Sequence, residues 1–159
     1  MKKKEEKTNA VRLLAQKKLD FTTHDYTDSG AVSGMEVAQA LGQDPQRMFK
    51  TLVTQGHSGG YYVFLVPVCA ELNLKKAAAA VGEKSIAMIK SKELLPLTGY
   101  IHGGCSPVGM KKLFPTVIDR SAEQFGSILF SGGRIGLQIE TGLQELAQVV
   151  PFRLEEITE

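Results

Sequence analysis

The chain has 159 residues, 43% of them hydrophobic and 23% charged, which is typical of a folded globular domain and unlike a disordered chain. Its formal net charge of +2 is too small to predict a broad groove along many phosphates, but it permits a single phosphate-bearing ligand or the end of a nucleic acid. Two cysteines, Cys69 and Cys105, are too few for a disulfide framework or a zinc site, so neither a secreted disulfide scaffold nor a metal protein is expected.

We expect one domain over residues 1–159, with a frayed end over residues 1–8. The longest apolar run, residues 61–70, is about half the length that a membrane-spanning helix needs. The basic N-terminus has no apolar stretch behind it, which argues against a secretory signal. These features predict a cytoplasmic protein without a membrane segment.

Apolar spacing and turn residues predict an alternating series of short elements. In chain order these are a helix over 8–18, a strand over 20–26, a helix over 33–42, a hairpin of strands 50–55 and 61–68, a helix over 72–82, a short apolar segment over 85–89, a strand over 116–120, a second hairpin over 127–140 and a closing helix over 141–150. Ser33 and Glu36 have the spacing of a capping box, and Gly82 closes the alanine-rich helix. Because helices and strands do not strictly alternate, the order favours an α+β domain on a mixed, curved sheet over a doubly wound parallel sheet.

The segment YIHGGCSPVGMKK, residues 100–112, concentrates residue types that are common in phosphate loops and catalytic turns. Gly104 and Gly109 are spaced like the glycines of a P-loop, but Met110 stands where the phosphate-binding lysine would be. Ser106 lacks the G-x-S-x-G spacing of a hydrolase nucleophile. The pattern therefore argues against both a nucleotide triphosphatase and a serine hydrolase.

Cys105 and Lys50 are the remaining candidates for chemistry. Cys105 could be a thiolate nucleophile with His102 as its base, although a small apolar side chain beside a loop histidine is the interpretation that we favour. Lys50 enters a predicted strand between apolar residues, where burial of its ammonium would be unfavourable. Either the aliphatic part of the Lys50 side chain packs against apolar neighbours while the ammonium reaches water, or the lysine belongs to a functional site.

Four stretches, taken in order, resemble the YbaK/EbsC family of prolyl-tRNA editing proteins. They are FTTHDY at 21–26, ALGQDPQRMFKTLV at 40–53, GYIHGGCSPVGMKK at 99–112 followed by PTVIDRSAEQF at 115–125, and SGGRIGLQIE at 131–140. The resemblance extends over nearly the whole chain. It implies an α+β fold in which helices flank a mixed, barrel-like β-sheet, the fold of the YbaK and prolyl-tRNA synthetase-associated domains.

The resemblance also implies an activity and the residues that carry it. Free-standing members hydrolyse mischarged tRNA, and the YbaK branch removes cysteine from Cys-tRNA(Pro), so the implied partner is the 3′ end of aminoacylated tRNA(Pro), with prolyl-tRNA synthetase as a further candidate and no metal or cofactor. The implied catalytic residues are Lys50, Gly103 and Gly104. The implied substrate-binding residues are Tyr26, Ser33, Thr51, Cys105, Ser106, Pro107, Ser131 and Gln138.

This chain departs from the family pattern at three of its positions. Ser33 stands where an aromatic residue is often found shortly before the second helix. Gln138 replaces a common aspartate, and Ile135 replaces a basic residue. These departures bear on substrate preference more than on the fold, and they argue against essential acid–base roles at those positions.

Editing is needed because a pocket shaped for proline excludes cysteine or alanine by only about 1–3 kcal/mol. The resemblance implies that the substrate's own thiol attacks its ester and leaves as a cyclic thiolactone, a route that needs positioning rather than a protein nucleophile. We expect N–H groups of residues 103–109 to support the oxyanion and Lys50 to hold the terminal nucleotide. The alternatives are an acyl enzyme on Cys105, an Ala-tRNA(Pro) deacylase that uses a positioned water, and a non-catalytic module that binds aminoacyl-tRNA or a synthetase.

Overall fold

The computed structural model describes residues 7–159 as five α-helices, two short 3-10 helices and eight strands. The helices are α1 (Asn9–Gln16), α2 (Gly34–Leu41), α3 (Leu74–Val81), α4 (Ser91–Thr98) and α5 (Leu143–Ala147). The strands are β1 (Thr22–Asp25), β2 (Phe49–Gly56), β3 (Tyr61–Pro67), β4 (Ile86–Met88), β5 (Thr116–Asp119), β6 (Ile128–Ser131), β7 (Leu137–Thr141) and β8 (Phe152–Glu155). No helix of the described part is long and apolar enough to cross a bilayer.

The strands form two sheets. The larger sheet has the order β4-β2-β3-β5-β8, with antiparallel pairing of β4, β2 and β3 and parallel pairing of β3, β5 and β8. The smaller, antiparallel sheet has the order β1-β7-β6. A parallel bridge between Met48, just before β2, and Leu129 in β6 links the two sheets. The predicted α+β fold with a mixed sheet is confirmed, and within residues 7–159 the strands form two bridged sheets and no closed barrel.

Local capping explains where the first helices begin. The Thr8 hydroxyl accepts a hydrogen bond from the Val11 N–H at the start of α1. At α2, Ser33 Oγ accepts from the Glu36 N–H at 3.2 Å, and the Glu36 carboxylate accepts from the Ser33 N–H at 3.0 Å. Of the end predicted to fray, residues 1–6 lie outside the described residues, whereas Thr8 is the cap of α1.

Side chains of β3 alternate between two hydrophobic cores. Val63 and Leu65 face the main core, which also contains residues of α1, β6 and β7, so that this core lies between the two sheets. Phe64 and Val66 face the opposite side, where they pack with the alanines of α3. A third cluster, including Tyr26, packs α2 against the smaller sheet. Because β2 is the neighbour of β3, its side chains also reach both sides, and its start lies where α2, α4 and the smaller sheet meet.

Two elements were not predicted from the sequence. Helix α4 contains Pro96, which has no N–H to donate in the helical hydrogen-bond pattern, so the sequence did not predict a helix there. Strand β8 is four residues long and its described ladder is a parallel one with β5. The predicted closing helix is also shorter than expected, because α5 ends at Ala147.

Candidate functional site

A cavity of about 360 Å³ opens where β2, the N-terminal ends of α2 and α4, and residues 100–112 come together. This volume is at the lower end of the range for small-molecule sites, so it suits an amino-acid-sized group. Its walls are mainly apolar, with Phe49, Val53 and Leu94 among the lining side chains. Polar lining residues come from β2, from the starts of α2 and α4, and from the smaller sheet.

The cavity brings together most of the site residues that the sequence predicted. Those that line it are Tyr26, Ser33, Lys50, Thr51, Gly103, Cys105, Ser131 and Gln138. Gly104, Ser106 and Pro107 are buried in the same loop but are not part of the lining. The structure thus separates residues that can contact a ligand from residues that support the loop.

Lys50 lies in β2 opposite Val66 of β3, and its side chain keeps 31% of its surface exposed. Its Nζ lies 3.5 Å from the Glu71 carboxylate. The stem is therefore packed while the ammonium reaches the surface, as one of the two sequence interpretations had it. The next residue, Thr51, has a buried hydroxyl oxygen without a hydrogen-bond partner among the described residues.

The loop at 103–109, which we call the glycine loop, approaches the turn between β6 and β7 closely. A Cβ on Gly104 would lie 2.9 Å from the Cα of Arg134, so only glycine fits there without a backbone shift. Gly103 has φ +85°, a conformation that other residues rarely adopt. The Gly104 N–H donates to the Ile101 carbonyl at 3.0 Å, whereas the N–H groups of Gly103 and Cys105 donate to no carbonyl of the described chain. Both residues line the cavity, so their N–H groups are candidates for contact with a ligand.

Cys105 is a poor nucleophile in this environment. Its side chain is 7% exposed, and burial raises the pKa of its thiol to about 12, so that the thiolate is scarce at neutral pH. His102 is exposed, and no hydrogen bond connects the two side chains. The environment supports the interpretation of Cys105 as a small packed side chain.

Buried hydrogen bonds stabilise the conformation of the glycine loop. Ser106 is fully buried, and its hydroxyl accepts a hydrogen bond from the Val108 N–H at 3.2 Å. The Tyr100 hydroxyl donates to the Val108 carbonyl at 2.6 Å. Ser106 therefore stabilises the loop rather than facing the cavity.

Gln138 and Ser131 face the cavity from the smaller sheet, where they lie opposite each other on β7 and β6. Gln138 is 7% exposed, and its Oε1 has no hydrogen-bond partner among the described residues. An unsatisfied buried oxygen costs about 1–3 kcal/mol, so a ligand that donates a hydrogen bond there would recover that energy. Rotation of the amide exchanges its oxygen and nitrogen, so the side chain can offer either group.

Sequence reasoning missed the contacts of Glu140, a carboxylate of β7 that pairs with Arg47 in the segment before β2 and does not line the cavity. The Glu140 carboxylate accepts from Ser127 at 2.7 Å, lies 2.9 Å from His24 Nε2 and pairs with Arg47. The Ser127 hydrogen bond, followed by the contacts with His24 and Arg47, lowers the pKa of the Glu140 carboxyl. His24 and the adjacent Asp25 have different partners, because the Asp25 carboxylate accepts a hydrogen bond from the Thr27 N–H.

The start of α4 is the other contribution that the sequence did not predict. Lys90 and Ser91 line the cavity at this helix N-terminus, next to Met88 at the end of β4. Because the helix itself was not predicted, no sequence signal pointed to these residues. Among residues 7–159, no group of three or more histidine, cysteine, aspartate or glutamate side chains is arranged to hold a metal ion.

Residues 29–149 match the sequence profile of the family described as the aminoacyl-tRNA editing domain. A protein of Enterococcus faecalis, named as a proposed Cys-tRNA(Pro)/Cys-tRNA(Cys) deacylase, EbsC, is 42% identical over 158 residues, which are 99% of this chain and 96% of that protein. This chain belongs to the aminoacyl-tRNA editing domain family. The resemblance inferred from the four sequence stretches is thereby confirmed.

Two further relatives place the editing domain in a wider context. A proline–tRNA ligase of Thermosipho melanesiensis is 33% identical over 97 residues, which are 61% of this chain and 17% of the ligase. The crystal structure of a proposed trans-editing enzyme for prolyl-tRNA synthetase superposes with a TM-score of 0.82 at 25% identity, over 94% of this chain and 92% of that one. Relatives of this chain therefore occur both as a separate protein and as part of a much longer ligase.

Proposed function

We propose that this protein is a trans-editing deacylase that hydrolyses Cys-tRNA(Pro) and that the cavity holds the cysteinyl group. One observation carries the proposal: the cavity is lined by Lys50 and by two residues, Gly103 and Cys105, whose N–H groups donate to no carbonyl, while the Cys105 thiol is buried and its pKa is raised to about 12. Such a site can orient an ester and stabilise its transition state, but it has no activated protein nucleophile. The nucleophile is then best supplied by the substrate.

The reaction follows from that arrangement. The thiol sulfur of the cysteinyl group attacks its own carbonyl carbon, the bond from that carbon to the ribose oxygen breaks, and the thiol proton ends on the ribose hydroxyl. The first product is a cyclic thiolactone, and water then opens its thioester bond to give free cysteine. The N–H groups of Gly103 and Cys105 are the donors for the oxyanion that develops during the attack. Because nucleophile and carbonyl belong to one molecule, holding them in the reactive geometry supplies much of the acceleration.

This route also explains how the correct product is spared. One methylene more or less in an apolar pocket changes binding by only about 1–3 kcal/mol, so the cavity cannot by itself exclude other small aminoacyl groups. Proline and alanine have no side-chain nucleophile, however, and their esters remain intact even when they enter. Chemistry rather than size then decides which tRNA is discharged.

Lys50 and Gln138 would position the substrate in this scheme. We assign the Lys50 ammonium to a phosphate or ribose oxygen of the terminal nucleotide, because it lies at the cavity surface and is partly exposed. We assign the unpartnered Gln138 oxygen to the α-ammonium group of the cysteinyl moiety. The remaining predicted contacts, Tyr26, Ser33, Thr51 and Ser131, border the same space.

The wider setting is part of the same proposal. The substrate is the 3′ end of tRNA(Pro), and the modest net charge of +2 favours recognition of that end over binding along the tRNA body. Prolyl-tRNA synthetase is the candidate partner that would supply further tRNA contacts. The cytoplasm is the expected location, since mischarged tRNA is produced there.

The test is release of amino acid from Cys-tRNA(Pro) and from Ala-tRNA(Pro) by the purified protein. Wild type and Lys50→Ala are compared with Lys75→Ala, which removes an exposed lysine of α3 that does not line the cavity. Release of cysteine but not alanine, lost in Lys50→Ala and kept in Lys75→Ala, supports the proposal. Release of alanine would indicate a deacylase that uses water, and release of neither would indicate a binding module.

A further inference from the structure

The carboxylate beside Lys50 has no role in the scheme above. Glu71 lies between β3 and α3, and its Oε1 is 3.5 Å from Lys50 Nζ. Its side chain is 80% exposed, compared with 31% for Lys50. An ion pair this exposed contributes little to stability, so it can be exchanged for another anion at low cost.

The backbone that carries Glu71 is firmly held even though its carboxylate is not. The Glu159 N–H donates to the Glu71 carbonyl at 3.0 Å, and the Asn73 N–H donates to the Ile157 carbonyl at 2.8 Å. Leu72 and Thr158 form an antiparallel bridge between these two bonds. Residues 157–159 thus hold the backbone of Glu71 in a fixed position relative to Lys50, while the solvated carboxylate can move away from the ammonium.

We propose that Glu71 is an exchangeable counter-ion that competes with the substrate's terminal phosphodiester for Lys50. In the free protein it holds the ammonium at the mouth of the cavity, and on binding the phosphate takes its place. The Glu71 carboxylate and the phosphate are both anions that pair with the same Lys50 ammonium. Because they compete for it, the carboxylate weakens binding of the phosphate. Glu71 is therefore a positioning residue that acts through Lys50 and favours departure of the discharged tRNA. The inference rests on the proposed role of Lys50.

The test compares Glu71→Gln with Glu156→Gln in discharge of Cys-tRNA(Pro). Glu156 is a matched control because it pairs with Lys76 at 3.0 Å and its side chain is 74% exposed. Both variants raise the net charge equally, so both attract tRNA more strongly at long range. We expect Glu71→Gln to lower KM by about two- to five-fold more than Glu156→Gln, without an increase in kcat.

A double-mutant cycle with Lys50→Ala identifies the cause. Because Lys50→Ala is expected to be inactive, the cycle measures the Kd of uncharged tRNA(Pro) in place of KM. Without the ammonium, Glu71→Gln should change this Kd no more than Glu156→Gln does. Glu71→Asp keeps the charge but has a shorter reach, and its KM should fall between those of wild type and Glu71→Gln. Thermal unfolding of each variant shows that the comparison concerns folded protein.

The outcomes separate this inference from the function on which it rests. If wild type does not release cysteine, the proposed function is refuted and the counter-ion role falls with it. If wild type is active but Glu71→Gln and Glu156→Gln lower KM equally, or the difference persists without Lys50, the counter-ion role alone is wrong.

Discussion

Gly104→Ala tests whether the close approach of the glycine loop to the β6–β7 turn matters for function. The added Cβ would lie 2.9 Å from the Cα of Arg134 and 3.0 Å from both its carbonyl carbon and the Ile135 nitrogen. All three are backbone atoms, so a side-chain rotation cannot relieve the overlap. The loop must move away from the turn by several tenths of an ångström.

The displacement has a cost in stability and a larger one in activity. Overpacking of this kind destabilises proteins by about 1–3 kcal/mol, which corresponds to roughly 2–12 °C in Tm for a domain of this size. Gly104 also lies between Gly103 and Cys105, whose N–H groups we assign to the oxyanion. Because misplacement by about 1 Å can cost a factor of 100 in rate, we expect kcat to fall about 10- to 100-fold.

Gly126→Ala is the matched control. A Cβ at Gly126 meets no atom within 4 Å, and the residue is exposed, so this variant should have wild-type kcat and Tm within about 2 °C. Single-turnover discharge of Cys-tRNA(Pro) and thermal unfolding measure the two effects for both variants. Wild-type kcat in folded Gly104→Ala would refute the assignment of the oxyanion donors to this loop.

Two further predictions concern groups with shifted pKa values. Because burial raises the pKa of the Cys105 thiol to about 12, iodoacetamide at pH 8 should alkylate the exposed Cys69 at least tenfold faster, which mass spectrometry of the digested protein would show for each cysteine. Cys105→Ser should keep most of its activity. Equal labelling of the two cysteines, or loss of activity in the folded variant, would contradict the view of Cys105 as an inert side chain. The contacts of Glu140 lower the pKa of its carboxyl in the folded protein below the ordinary value of 4.5. These contacts therefore stabilise the folded protein fully at pH values above 4.5, and that stabilisation is lost as the pH falls through the lower pKa of the folded state. Glu140→Gln should therefore reduce the free energy of unfolding by about 1–3 kcal/mol at pH 7 and by less in acid. Urea titrations at neutral and at acidic pH would measure the two reductions. An equal reduction at the two pH values would show that the charge of Glu140 is not responsible.

The well-predicted parts of the fold depend on neighbouring residues. The capping box of Ser33 and Glu36 and the left-handed Gly82 are local devices, and the structure has both where the sequence placed them. Hairpin β2–β3 was likewise predicted, because its strands are adjacent in sequence. By contrast, β8 pairs with β5, more than thirty residues earlier, and no local pattern records that partner.

The sequence by itself determined the family, the α+β class and eight of the 22 residues that line the cavity. Each of these could be predicted because it depends on short stretches of sequence. Only the tertiary structure decided which of those residues can touch a ligand. In the folded protein the buried Ser106 hydroxyl accepts a hydrogen bond from the Val108 N–H, and the Gly104 N–H donates to the Ile101 carbonyl, so neither group is free to bind a ligand. It also brought Glu71 to Lys50 and the start of α4 to the cavity. Exposure and hydrogen-bond partners depend on chain segments that are distant in sequence, and only folding brings those segments into contact.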